Sequence, residues 1–493
     1  MFVVSLVPLF VWGCSGKTTD SSADFFPEAS SMPAYRGNPS IQREFSTEEL
    51  FQNCAVLHGG PEDIKHHNLV VPYRGHLVMP WAPEWGRGGF SLFDMQDPCA
   101  PQKVGEGFHE RMRETHAVGF QYVSESEQYA VANGILGVQF WDFSVLETPT
   151  MINYLQIDGV FYPDSYTRVV LSVFWQYPYV YAAASDNGFF IVDATDPHDA
   201  QVVTQYQFDP PLRAAAIYAL GNQLFVSSAE GSEAVVLDIS DPVAPQPIGG
   251  GRFQIVDANG EETEAYHAGM VGNWGLFARK ENGGGVIAMD ISDPTNPTYA
   301  GSYYTQGGNG GYVFYHEGFA FVGDSHWAKV IDMRDLENMT EVGEGNLAGD
   351  LDTITPFGNV AILSVDDEPV DGVASVVMPW KTDIDSTPPV VLRTVPVDGE
   401  QGVALTSRVG IAFSEMMEPT SIFAGSIQMF DDEGNPVDGW GSAQETIANY
   451  IPKEPLLPGR TYTVYVMEGG ARDSHDNALA ETLTFQFTTA GTR

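Results

Sequence analysis

Positive charge is scarce in this chain of 493 residues: 23 Lys and Arg stand against 65 Asp and Glu, for a formal net charge of −42. A surface that negative repels phosphate backbones, which excludes nucleic acid as an expected partner. Solubility is the plainest use of such charge. Cysteine is scarcer still, three residues in all. The apolar run at the N-terminus, residues 2–13, is twelve residues long, short of the ~20 needed to span a bilayer. Standard catalytic signatures are missing too, with no G-x-S-x-G elbow and no phosphate-cradling P-loop. The stretch HERMRETH (109–116) opens like a zinc-protease helix, but Arg113 occupies the place of the second histidine. No enzyme is therefore expected from the motifs.

What the chain has in quantity is turn-formers, 51 glycines and 32 prolines, with 43% hydrophobic residues to build a core. This balance favours many short strands over long helices. The strands are written in a repeat. GFSLFDMQDP, GVQFWDFSVLETP, GFFIVDATDP, AVVLDISDP, GVIAMDISDP and AKVIDMRDL recur along the chain, anchored at Asp94, Asp142, Asp193, Asp238, Asp290 and Asp332. The spacings are 48, 51, 45, 52 and 42 residues, and a degenerate seventh unit follows at 351–380, with Met378 or a neighbour in place of the aspartate. Each unit holds four apolar runs separated by Gly, Asn and Asp-Pro turns, four short strands per unit. One such sheet cannot bury both its faces, so neighbours must stack, and a closed ring leaves only short protected edges.

The phrases FFIVDATDP, VVLDISDP and VIAMDISDP resemble the LVIVD-repeat family of bacterial surface proteins, which implies a β-propeller over residues 62–381. After the Pro-rich linker STPPVV the grammar changes. FSEMMEP (413–419), PLLPGRTYTVYV (455–466), ARDSHDN (471–477) and the closing FTT (487–489) are similar to the bacterial Ig-like domain of the SbsA type, which implies a spacer or adhesive module over 386–490. The expected fold is all-β, a seven-bladed propeller followed by an Ig-like β-sandwich.

At the N-terminus, residues 1–13 read as a signal peptide, and VWGC resembles a lipobox that would make Cys14 a lipid-accepting residue. An ordinary signal peptide with an incidental cysteine is the alternative. A polar tether (15–35) then begins the N-terminal segment 14–61. Cys54 and Cys99 remain as an even pair in an exported chain, either bridged or left as two buried thiols; the bridge is the expectation. The localisation that follows is the bacterial cell envelope, lipid-anchored at the outer membrane or cell surface.

In a propeller the first strand of each blade lines the central channel, and the residues opening those strands gather at one mouth. They are His67, His116, Arg168, Arg213, His267, Tyr312 and Asp352. Bonding to backbone and channel water is their bland role. The sharper one is a small-ligand site, with His67, His116 and His267 holding a transition metal. Calcium is weighed at DDEG (431–434) and in ARDSHDN, against the plainer reading of both as turns, since neither has an EF-hand spacing. Trp81, Trp85 and Tyr73 offer aromatics for a binding patch, with core packing as the alternative. No cofactor is predicted outright. The expected function is a non-enzymatic binding or adhesion module for a surface protein or glycan, and the alternative is a metal- or small-ligand-binding protein, or an enzyme, that uses the channel mouth.

Overall fold

A computed structural model describes residues 40–61, 66–83, 86–160, 167–280, 283–325, 327–366 and 369–491. Cys14, the signal and tether readings, and Trp85 lie outside the described residues. The chain from residue 55 to 379 builds seven antiparallel blades of four strands, six as separate sheets and the second, which spans 119–156, continuous with a sheet of the C-terminal domain. Their innermost strands are Val71–Tyr73, Gly119–Ser124, Ser172–Gln176, Ala214–Leu220, Ala265–Val271, Val313–His316 and Thr353–Phe357. This is the seven-bladed propeller that the repeat predicts.

The inner three strands of each blade are buried on both faces by their neighbours, which is why runs such as QLFVSS (223–228) and YVYAA (179–183) are nearly continuous in apolar residues. The fourth strands lie outermost and open to water, as in Gln102–His109 and Thr340–Gly345. The repeated aspartates explain the motif. In all six units the anchor ends the third strand and its Oδ1 accepts the backbone N–H two residues on, at 2.7–3.1 Å. The second aspartate of the phrase does the same, from Cys99, His198, Val243, Thr295 and Glu337 at 2.9–3.1 Å. Two successive side-chain-capped turns thus reverse the chain into the fourth strand. In the seventh blade Pro379 ends the third strand, in line with the aspartates elsewhere.

The seventh blade takes only three strands from its own repeat. Its fourth is Ala55–Leu57, which pairs antiparallel with Ser375–Pro379. The N-terminal segment, read as preceding the propeller up to residue 61, instead closes its ring. Cys54, just before this strand, is disulfide-bonded to Cys99 of the first blade. The bridge ties the closing strand to the neighbouring sheet.

The C-terminal domain is a sandwich of two sheets. One holds Val391–Val395, Val409–Phe413, Ile447–Pro452 and Gly439–Gln444, the other Glu400–Val403, Leu483–Thr489, Thr461–Val466 and Ile427–Asp431. Alternation in TYTVYV and LTFQFTT puts Tyr462, Val464, Val466, Phe485 and Phe487 inside, together with Ile411, Phe413 and Tyr450.

The sandwich is docked on the propeller. The hairpin formed by Gly439–Gln444 and Ile447–Pro452 lies against the channel-lining strands of four consecutive blades. Ala443 bridges to Phe120. Gln444 Nε2 donates to Val173 O at 2.9 Å and its Oε1 accepts from Trp175 N–H at 3.2 Å. Asn449 Nδ2 donates to Ala219 O at 3.0 Å, and its Oδ1 accepts from Gly221 N–H at 2.8 Å and Gln176 Nε2 at 2.9 Å. Thr446 Oγ1 reaches Met270 O at 3.3 Å. Around this plug, Glu418 accepts from Gly75 N–H, Arg393 donates to Gln223 and Asn222 donates to Ser407. Each of these propeller residues sits in or beside the turn between a first and a second strand. Gly221 is close-packed there: it has φ +57°, and a Cβ on it would lie 2.6 Å from Val395 O. One mouth of the channel is therefore closed by the sandwich.

Candidate functional site at the open channel mouth

The opposite mouth, where the inner strands begin, stays open. It holds a cavity of 350 Å³ lined by Arg113, Glu114, His116, Arg213, Glu230, Tyr266, His267, Lys280, Asp350, Asp352 and Asp366, with smaller residues between them. Four of the seven sequence-predicted residues, His116, Arg213, His267 and Asp352, line it together. Tyr312 lies directly beneath, fully buried, with its ring centroid 4.5 Å from that of His267 and 5.5 Å from that of His116.

Two predicted residues fall elsewhere. Arg168 is exposed and outside the cavity lining. His67 is buried, with Nδ1 2.8 Å from Ser375 Oγ and Nε2 3.2 Å from Gly59 O, stitching the seventh blade to the first. Its neighbour His66 takes the place expected for it, with Nε2 3.9 Å from Glu114 Oε1. Adjacent residues of an extended chain point to opposite sides, so a one-residue displacement in the alignment exchanges the two imidazoles.

Glu114 organises the floor of the site, and the strand-start alignment passes over it because it lies two residues before His116 in a loop. His116 Nε2 is 2.9 Å from its Oε1, which also accepts from Asn68 Nδ2 at 2.7 Å. Asn68 is fixed in turn by donating to Tyr312 Oη at 3.1 Å and accepting from Thr353 Oγ1 at 2.9 Å. Burial pushes the Glu114 carboxyl up, but His116 and His66 beside it reverse that and hold it well below the usual carboxylate range. Asp352 moves the other way: burial, then the charges of Asp366, Asp350 and Glu114, push its carboxyl well up. Burial, with the charge of His116 adding to it, lowers His267 to about 3, so at neutral pH its imidazole is uncharged. Its buried Nδ1 has no hydrogen-bond partner among the described residues. On the rim, Glu230 contacts Lys280 and lies 3.7 Å from Arg213, while Arg213 Nε is 3.5 Å from Asp186.

The predicted metal set of His67, His116 and His267 is not assembled. Ligand atoms of His66, Glu114 and Asp366, however, all lie within 4.8 Å of one another. The two calcium candidates are occupied by their own loops. Asp431 Oδ1 accepts from the N–H groups of Glu433 and Asn435, and Asp473 Oδ1 from those of His475 and Asn477. Trp81 and Tyr73 are buried in the core rather than displayed. Among the described residues no helix is long and apolar enough to cross a membrane.

The LVIVD repeat family matches residues 177–207 and 281–305, which are strands and turns of the third and fifth blades. The bacterial Ig-like domain family matches residues 385–489. No curated protein matches the chain. Among solved structures, the computationally designed Ika8 protein aligns at 12% identity and a TM-score of 0.45, over 66% of this chain and 99% of its own. The periplasmic gluconolactonase of Pseudomonas aeruginosa aligns at 9% identity and 0.45, over 59% and 85%. A putative 6-phosphogluconolactonase of Bacteroides fragilis gives 10% and 0.45, over 66% and 98%. At such identities nothing about activity transfers. The chain is a propeller that carries LVIVD repeats, followed by a bacterial Ig-like domain.

Proposed function

We propose that the protein is a non-enzymatic binding module of the bacterial cell envelope, lipid-anchored through Cys14, which takes a small polar ligand in the open mouth of its propeller. The observation that carries this reading is the asymmetry of the channel. One mouth is filled by the Ig-like hairpin, and the other keeps a cavity whose charged groups are held in fixed places. Five lining carboxyls, Glu114, Glu230, Asp350, Asp352 and Asp366, outnumber three basic groups, Arg113, Arg213 and Lys280. The pit favours a ligand that presents a positive group to Glu114 and Asp366, with the rim pair Arg213 and Lys280 free to orient an acceptor after Glu230 yields.

The experiment is a thermal-shift screen of the protein against amino acids, polyamines, sugars and sugar acids, followed by calorimetry on compounds that stabilise it. Stabilisation by an amine-bearing compound, lost in Glu114→Gln and reduced in Arg213→Ala, supports the reading. A ligand whose binding ignores both substitutions overturns it. The anchor is tested separately, by detergent-phase partitioning that Cys14→Ser should abolish.

A second reading, a divalent transition-metal ion at this mouth, rests on the mutual approach of the His66, Glu114 and Asp366 ligand atoms. Zinc alone serves as its probe, with Glu114→Gln as the control.

A further inference from the structure

A second cluster of ionisable groups lies far from the open mouth, in the seam between propeller and sandwich. His316 ends the innermost strand of the sixth blade, Asp385 stands at the head of the Ig-like domain, and Glu415 belongs to its FSEMMEP stretch. Their exposures are 4%, 4% and 1%. The imidazole sits between carboxylates on both sides. Nε2 is 3.6 Å from Asp385 Oδ2 and 3.7 Å from Glu317 Oε2, and Nδ1 is 3.9 Å from Glu415 Oε2. These distances are too long for hydrogen bonds. His316 Nε2 and Asp385 Oδ2 are both buried with no hydrogen-bond partner among the described residues. The other oxygens are spoken for: Asp385 Oδ1 accepts from Thr387 N–H at 3.1 Å, and Glu415 Oε1 from Ser414 Oγ at 3.3 Å.

Two ligands of one zinc-class ion, bound at about 2.0–2.2 Å each, stand no more than about 4.4 Å apart. Ligand atoms of His316, Asp385 and Glu415 lie within 4.8 Å of one another. Three ligands around one such ion stand about 3.2–3.8 Å from one another, so the widest gap closes by up to about 1 Å on binding, with one ring nitrogen of His316 taking the ion. Charge argues the same way. Asp473, fully buried, adds a further carboxylate beside Glu415 and Asp385. The nearby cation, Lys381, is paired with Glu317 at 2.8 Å. Burial disfavours the charged imidazolium at both His316 and His475. So many buried carboxyls without a matching positive charge need either shared protons or a cation.

We propose that His316, Asp385 and Glu415 form a structural site for a divalent transition-metal ion that clamps the Ig-like domain to the propeller. One imidazole with two carboxylates suits zinc, manganese or iron(II), and the absence of thiolate ligands disfavours copper(I). The site is independent of the open mouth and of any ligand taken there.

The test is elemental analysis of the full-length protein, with melting followed before and after a chelator. One ion per chain is expected, lost in His316→Ala and Glu415→Gln but kept in Glu114→Gln, which assigns it to the seam and not to the mouth. Chelation should lower the melting temperature, and added zinc should restore it. An ion that persists in both seam variants overturns the proposal. Should those variants fail to fold, the metal-free wild type is titrated with cobalt(II). Visible d–d bands from a nitrogen and oxygen ligand set, abolished by excess zinc and present in Glu114→Gln, support the site. A protein that takes up neither zinc nor cobalt and melts unchanged overturns it, and leaves shared protons as the resolution of the buried charge.

Discussion

Glu445 sits at the tip of the hairpin that plugs the channel, with φ 53°, beside Tyr218 of the fourth blade. Burial raises its carboxyl to about 7, although the hydrogen bond from Tyr218 works against the rise. Because the folded value lies above the ordinary 4.5, the stability linked to this group is fully present below pH 4.5. It is lost as pH rises through 7. At 1.36 kcal/mol per pH unit the full difference is about 3 kcal/mol. Glu445 is only partly buried by its solvent accessibility, which cuts the expected cost of ionisation to roughly 1–2 kcal/mol. Glu445→Gln keeps the shape and an acceptor for Tyr218 but cannot ionise. Melting of wild type and variant is compared from pH 4.5 to 8.5, so that other titrating groups cancel in the difference. The two should melt together at pH 4.5. The variant should gain with pH, to about 1–2 °C at pH 8.5. A difference that is constant with pH, or a variant less stable at pH 8.5, would refute the placement of this carboxyl in a desolvated channel.

Asn449→Ala removes the partners of Gly221 N–H, Ala219 O and Gln176 at once, and is expected to weaken docking by about 2–4 kcal/mol; faster hydrogen exchange at Gly221, with the sandwich core still protected, would show it. Replacing Cys54 and Cys99 by serine removes a link across 45 residues of sequence that anchors the ring-closing strand, and should cost about 3–4 kcal/mol. A melting temperature indifferent to reductant would contradict that.

The repeated aspartates made the blades legible, because the same side-chain-capped turn is needed wherever a third strand hands over to a fourth. Alternation in TYTVYV exposed the sandwich for a similar reason: one face of that sheet meets a core and the other meets water. The ring-closing strand was not legible. AVL at 55–57 is three residues long, too short for any period, and its partner lies more than three hundred residues away. Docking of the sandwich was hidden as well. Ser442, Gln444 and Asn449 look like water-facing residues of an ordinary strand, yet they satisfy the open edges of the channel strands. At the mouth the strand starts pointed to the right neighbourhood. The displacement between His66 and His67, and the loop residue Glu114, needed coordinates.

The central claim is that the channel is closed at one end by the Ig-like hairpin and open at the other. Single cysteines introduced at Arg213, on the open rim, and at Thr446, in the hairpin, report this directly when their reaction rates with a small charged thiol reagent are measured in the folded protein. Labelling should be rapid at 213 and essentially absent at 446 until denaturant separates the domains. Equal rates at the two positions without denaturant would contradict it.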